Sequence, residues 1–196
     1  TDFLMRHPAQ LDVFEKAQQL ASPQEYVANL LSSVELLLVA GFESSVAWNA
    51  LRVAYRRELL KIAVFDLTQA DVIAGQAQVA AALADIAGAA IEAGITVARA
   101  ELKLSTEHGV FTAEEVDHTS LSVIAMGKCG ARELNYISDV DVIYVAESSS
   151  AELDSQRAVE VATRLATRMM RAMDGTSSEP MLWQVDPNLR PEGKSG

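Results

Sequence analysis

Asp139 and Asp141 stand one residue apart at the head of an apolar run, "SDVDVIYV", and a third aspartate, Asp186, follows in "LWQVDP". In an extended strand the side chains alternate, so Asp139 and Asp141 project to one face while Val140 and Val142 project to the other. Two like charges at that spacing repel each other, and burying either without a partner is costly. A divalent cation resolves the conflict. If the strands bearing Asp141 and Asp186 are neighbours, three carboxylates converge. Hard oxygen ligands of this kind suit Mg²⁺, which keeps several waters and bridges to substrate phosphates. With two such ions, one can activate the attacking oxygen while the other neutralises the leaving group at phosphorus. Gly127-Lys128 closes the preceding apolar run, where glycine lets backbone approach a phosphate and Lys128 supplies charge. Ser138 adds a hydroxyl, and Arg190 and Lys194 are cations that can pair with phosphate oxygens. A solvated strand start is the plainer reading of either aspartate alone, but Asp186 and Gly127-Lys128 in register weigh against it.

Other chemistries find less support. The single cysteine, Cys129, excludes an internal disulfide framework and a cysteine-rich zinc site. No activating base is visible beside it, so it reads as a small packing residue. His7, His108 and His118 lie far apart, with no pair at ligand spacing. A net charge of −11 disfavours nucleic-acid phosphates as partners. "GKS" at residues 193–195 lacks the earlier glycine of a phosphate-binding P-loop, and "GKCG" lacks the dinucleotide-binding spacing. No apolar run approaches the roughly 20 residues of a membrane span and no signal peptide opens the chain. A cytoplasmic protein without a membrane partner is therefore expected. The chain starts without Met and stops in the turn-like "RPEGKSG", which reads as an excised fragment.

The elements that must position these residues fall into two regions. Residues 1–104 read as helical. "SPQEYVANLLSSVELLLVAG" carries a capping box, with Ser22 as cap, Pro23 at the first position, Glu25 three residues on and Gly41 as stop. The next helix sets Leu51, Ala54, Tyr55, Leu59 and Ile62 on one side, with Arg52, Arg56 and Arg57 nearer a solvated or partner-facing side. Thr68 and Asp71 signal the start of a long helix that is small and apolar nearly all round from Ile86 to Ala98. From Ser105 to Ser120 the chain is polar and irregular, a connection between regions. Residues 105–196 then read as strand ("SLSVIAMG"), turn with a short helical piece, strand ("DVDVIYVAE"), amphipathic helix to Gly175, and a third strand in "PMLWQVDPNLRPEG". The expected class is α+β: a helical N-terminal half, then an α/β module with a small mixed sheet.

The strings "VIAMGKCGARELNYISDVDVIYV" and "VDPNLRPEGKSG" resemble the nucleotidyltransferase fold of the DNA polymerase β superfamily. Within it they are similar to the bifunctional glutamine synthetase adenylyltransferase/adenylyl-removing family. "LRVAYRRELLKIAVFDLT" and the helical lead-in share the likeness, which covers most of the chain. The resemblance implies Asp139, Asp141 and Asp186 as catalytic metal ligands for one or two Mg²⁺, with Gly127, Lys128, Ser138 and Arg190 as phosphate or nucleotide contacts. It implies AMP, ADP or ATP and phosphate as substrates or products, glutamine synthetase as protein substrate, and a PII-type signalling protein as regulator. The family carries two related modules, and a chain of this length holds one, cut short at its C-terminal end. "ELNYISDVD" and "LWQVDPNLRPEGKSG" look more like the adenylyl-removing module, in which phosphate displaces AMP from an adenylyl-tyrosine as ADP. The ATP-dependent transferring module and a non-catalytic docking fragment are the alternatives. Tyr136 packs a core or stacks on adenine, and sequence leaves the two open.

Overall fold

The computed structural model describes residues 2–16, 18–104 and 110–187. Ser22 and Glu25 bond reciprocally at the start of α2 (Pro23–Val39), forming the expected capping box. At its end Gly41 takes φ +74° while the Phe42 amide donates to the Leu37 carbonyl, the left-handed exit that glycine allows. Before α2 lie α1 (Asp2–Arg6) and a 3₁₀ helix over Pro8–Glu15. After it come α3 (Ser44–Thr68) and α4 (Val72–Leu104). Asp71 alone caps α4, accepting from the Ile73 and Ala74 amides. Thr68 closes α3 instead, its hydroxyl donating back to the Val64 carbonyl. Helices α2, α3 and α4 pack on one another.

By length and composition α4 is apolar enough to cross a membrane, contrary to the expectation that no run is long enough. However, 61% of its apolar stretch is buried within the fold. Its small residues explain that burial. At Gly94 a β-carbon would collide with the Met173 methyl, so α4 and the later helix that carries Met173 approach more closely than larger side chains permit.

The connection read as irregular contains a short helix, α5 (Ala113–Asp117), built on a second reciprocal capping box between Thr112 and Glu115. Residues 105–109 lie outside the described residues. Three strands follow in the order β1-β2-β3. β1 (Thr119–Ala125) pairs antiparallel with β2 (Val140–Ser148), from Thr119 opposite Ser148 to Ala125 opposite Val142. The turn between them contains α6 (Gly127–Gly130). From β2 the chain crosses through α7 (Ser155–Asp174), capped by Asp154, and returns as β3 (Val185–Asp186), parallel to β2. β3 is two residues long, shorter than the apolar run around it suggests.

α7 packs between the sheet and α4. Leu165, Met169 and Met173 are fully buried there, each burial stabilising by roughly 1.5–3 kcal/mol. The buried apolar cluster is continuous, running from Tyr26 and Leu30 through α4 to Val140, Val142 and Val185 in the sheet. The chain is thus α+β, mostly helical with a small mixed sheet, the expected nucleotidyltransferase-like arrangement.

Candidate metal centre

Pleat and pairing together assemble the site. Val140 and Val142 are fully buried, which turns the intervening Asp141, and Asp139 before it, to the opposite face. The parallel register places Asp141 directly against Asp186, and the Val140 amide donates to the Gln184 carbonyl at 3.0 Å. Asp139, Asp141 and Asp186 each present a carboxylate oxygen within 4.8 Å of the other two. Asp139 is exposed and the other two are half-buried, so the group opens to solvent on one side. Three carboxylates this close repel strongly unless a cation or protons intervene. An all-oxygen anionic set with an open side fits a hard divalent ion that keeps part of its water shell.

Gly127 completes the floor. It takes φ +52°, and a β-carbon there would overlap Asp141 Oδ2. The Met126 amide beside it donates to the Asp141 carbonyl at 2.8 Å, tying the start of α6 to β2. Of the other predicted contacts, Ser138 donates weakly to Asp139 Oδ1 at 3.5 Å. Lys128 is exposed on α6, and its ammonium has no bonded partner among the described residues. Arg190 and Lys194 lie outside the described residues. Cys129 is buried, and burial, with the Asp141 and Asp85 carboxylates adding to it, pushes its thiol above the usual value.

The residues that sequence reasoning missed are those holding the two loops that deliver the aspartates. Before Asp139, Arg132 (φ 59°) pairs with Asp85 of α4 at 2.6 Å. Tyr136 donates to Asp66 of α3 at 2.9 Å and is 45% exposed, so of its two sequence readings it does not pack a core. Before Asp186, residues 175–184 are clamped by α3. Arg52 is 2% exposed and does not decorate a solvated face. Its Nε and Nη2 donate to the Ala172 carbonyl at 3.0 and 2.5 Å, Nη2 also to Gly175 at 2.8 Å, and Nη1 to Glu179 at 2.7 Å. Arg56 donates to the Met181 carbonyl at 2.6 Å, and the Trp183 indole to the Tyr55 hydroxyl at 3.0 Å. Arg57 pairs with Asp12 at 2.7 Å. Burial lowers the pKa of Arg52, yet a guanidinium so placed remains the donor to three carbonyls. The buried Glu179 carboxylate accepts from Arg6 at 2.8 Å and shares a hydrogen bond with His7 at 2.9 Å, closing the clamp from α1. The only local signal was three arginines on a helix otherwise patterned for a core.

A small mixed sheet with three convergent aspartates at one edge, backed by a helical layer, defines a nucleotidyltransferase-like module. The chain belongs to the glutamate-ammonia ligase adenylyltransferase family, which it matches over residues 1–196. It is 46% identical over 200 residues to the bifunctional glutamine synthetase adenylyltransferase/adenylyl-removing enzyme of Leifsonia xyli subsp. xyli, covering 100% of this chain and 20% of that protein. The same-named proteins of Streptomyces avermitilis and Cutibacterium acnes are 46% and 42% identical over 147 and 160 residues. Those matches cover 75% and 81% of this chain, and 13% and 15% of those proteins. The chain therefore spans a fifth or less of these relatives.

Proposed function

We propose that this chain is the adenylyl-removing module of a bifunctional glutamine synthetase adenylyltransferase, releasing AMP from adenylyl-tyrosine to phosphate as ADP. The single observation that carries the reading is the convergence of Asp139, Asp141 and Asp186 within 4.8 Å in a chain of this family. Those three carboxylates would hold Mg²⁺, one ion or two, which when bound supplies charge stabilisation to the reacting phosphorus. The protein's own part is to fix the carboxylates: Asp141 and Asp186 through strand register, and Asp139 through the loop held by Arg132 and Tyr136. On this reading Lys128 and the backbone at Gly127, which lies against Asp141, would orient phosphate oxygens, with Ser138 and Arg190 as further contacts. Phosphate is already an anion at neutral pH, so no strong base is required of the protein.

Removal is favoured over transfer by the strings "ELNYISDVD" and "LWQVDPNLRPEGKSG". Glutamine synthetase is the protein substrate on this reading, a PII-type protein the regulator and the cytoplasm the setting. The test supplies phosphate with adenylylated glutamine synthetase and, separately, ATP with the unmodified enzyme. ADP release in the first reaction, abolished by Asp139→Asn, is the expected result. AMP incorporation in the second alone would make this the transferring module, and full activity of Asp139→Asn would overturn the site.

A further inference from the structure

A polar cavity of about 290 Å³ lies between α3, α4 and the C-terminal half of α7. Its charge is opposite to that of the aspartate edge. Arg52, Arg164, Arg168 and Arg171 line it, with Glu101 as the facing carboxylate. The chain as a whole carries −11, so four arginines around one carboxylate are a local reversal of sign. Arg164, Arg168 and Arg171 share one face of α7 at i, i+4 and i+7, a spacing at which like charges repel. Only part of that repulsion is answered within the protein. Arg168 reaches Glu101 at 3.5 Å, and Arg52 is committed to the carbonyls of residues 172, 175 and 179. The Arg164 and Arg171 guanidinium groups make no hydrogen bond or ion pair among the described residues. The Thr176 hydroxyl stands in the same wall, and Trp48 supplies an aromatic side.

We propose that this cavity is a binding site for a phosphate-class oxyanion, separate from the aspartate triad. Guanidinium groups present paired donors that match the geometry of phosphate oxygens, and Arg164, Arg168 and Arg171 all line this one cavity. A cavity of this size takes orthophosphate or a nucleoside monophosphate and is too small for a folded partner element. Thr176 and Ser177 line the cavity and also begin the segment that ends at Asp186. An anion held there ties that segment to α7 as well as to α3.

The test is orthophosphate binding to the 196-residue chain at constant ionic strength, by equilibrium dialysis and by tryptophan emission. Trp48 lines the cavity whereas Trp183 is buried against Tyr55, so the emission change reports this site. Saturable binding is expected in the wild type and, undiminished, in Asp139→Asn, which removes a triad carboxylate. The double variant Arg164→Gln/Arg171→Gln should weaken it by more than about tenfold, since each charge-assisted bond lost is worth about that factor. Both arginines are exposed, so the variant's thermal unfolding should match the wild type. An AMP arm separates the sources: tighter binding than orthophosphate assigns the Trp48 wall to a nucleotide base, and equal binding assigns the site to free phosphate. No saturable binding in Asp139→Asn, or equal binding by the double variant, overturns the proposal.

Discussion

The Asp141 carboxylate fills the space that a β-carbon on Gly127 would need. The contact joins the start of α6 to the second aspartate of the triad, and it holds because Gly127 sits at φ +52°. Gly127→Ala would be strained in its backbone and would push Asp141 aside. We expect a loss of about 1–3 kcal/mol in urea unfolding and a weakened Mn²⁺ affinity, read by electron paramagnetic resonance. A variant with wild-type affinity would show that Asp141 does not depend on this contact.

Repulsion among the three carboxylates makes a counter-intuitive prediction. Without metal, Asp139→Asn or Asp186→Asn should be more stable than the wild type by about 1 kcal/mol, because one like charge is removed. Adding Mg²⁺ should raise the wild-type melting temperature and leave the variants nearly unmoved. Differential scanning calorimetry with and without the ion measures both effects. Equal metal responses in all three proteins would count against the triad as the ligand set.

Arg52→Met removes four hydrogen bonds to three carbonyls around the end of α7. We expect destabilisation of about 3 kcal/mol or more, since buried acceptors lose their donor. Arg52→Lys should recover only part of it, because an ammonium cannot reproduce the guanidinium fork. The milder Arg56→Gln loses the bond to Met181 and should chiefly loosen the segment before Asp186, seen as faster hydrogen exchange at residues 181–186.

Cys129 supplies the pH prediction. Burial, with the Asp141 and Asp85 carboxylates behind it, raises its folded pKa, so the folded state favours the neutral thiol. The stability linked to this group is full below the unfolded value of about 8.5 and is lost as pH rises through the folded value. Maleimide labelling at neutral pH should be slow in the native protein and complete in urea. Rapid native labelling would mean that the 127–130 turn opens readily.

Much of the site was legible in local sequence because its logic is local. Strand alternation alone sets Asp139 and Asp141 opposite Val140 and Val142, and capping chemistry alone starts α2 at Ser22. The short helix α5 escaped notice because Thr112 and Glu115 cap a single turn inside a polar stretch that carries no apolar period. β3 was expected to be longer, yet only Val185 and Asp186 pair with β2.

What the sequence determined by itself was the three acidic side chains of the candidate site and, for Asp139 and Asp141, the face they share, since side-chain direction follows from backbone period. What only the tertiary structure decided was partnership. Asp141 meets Asp186 because α7 returns the chain to the same sheet edge, a contact no local pattern encodes. Arg52 looked like a solvated cation because amphipathic spacing identifies the polar side of a helix but not what covers it. Its partners lie 120 to 127 positions away, and their carbonyls become acceptors only once α7 has ended beside α3. The helical half thus fixes the aspartate edge through hydrogen bonds to backbone, groups that every residue carries and that no sequence motif reveals.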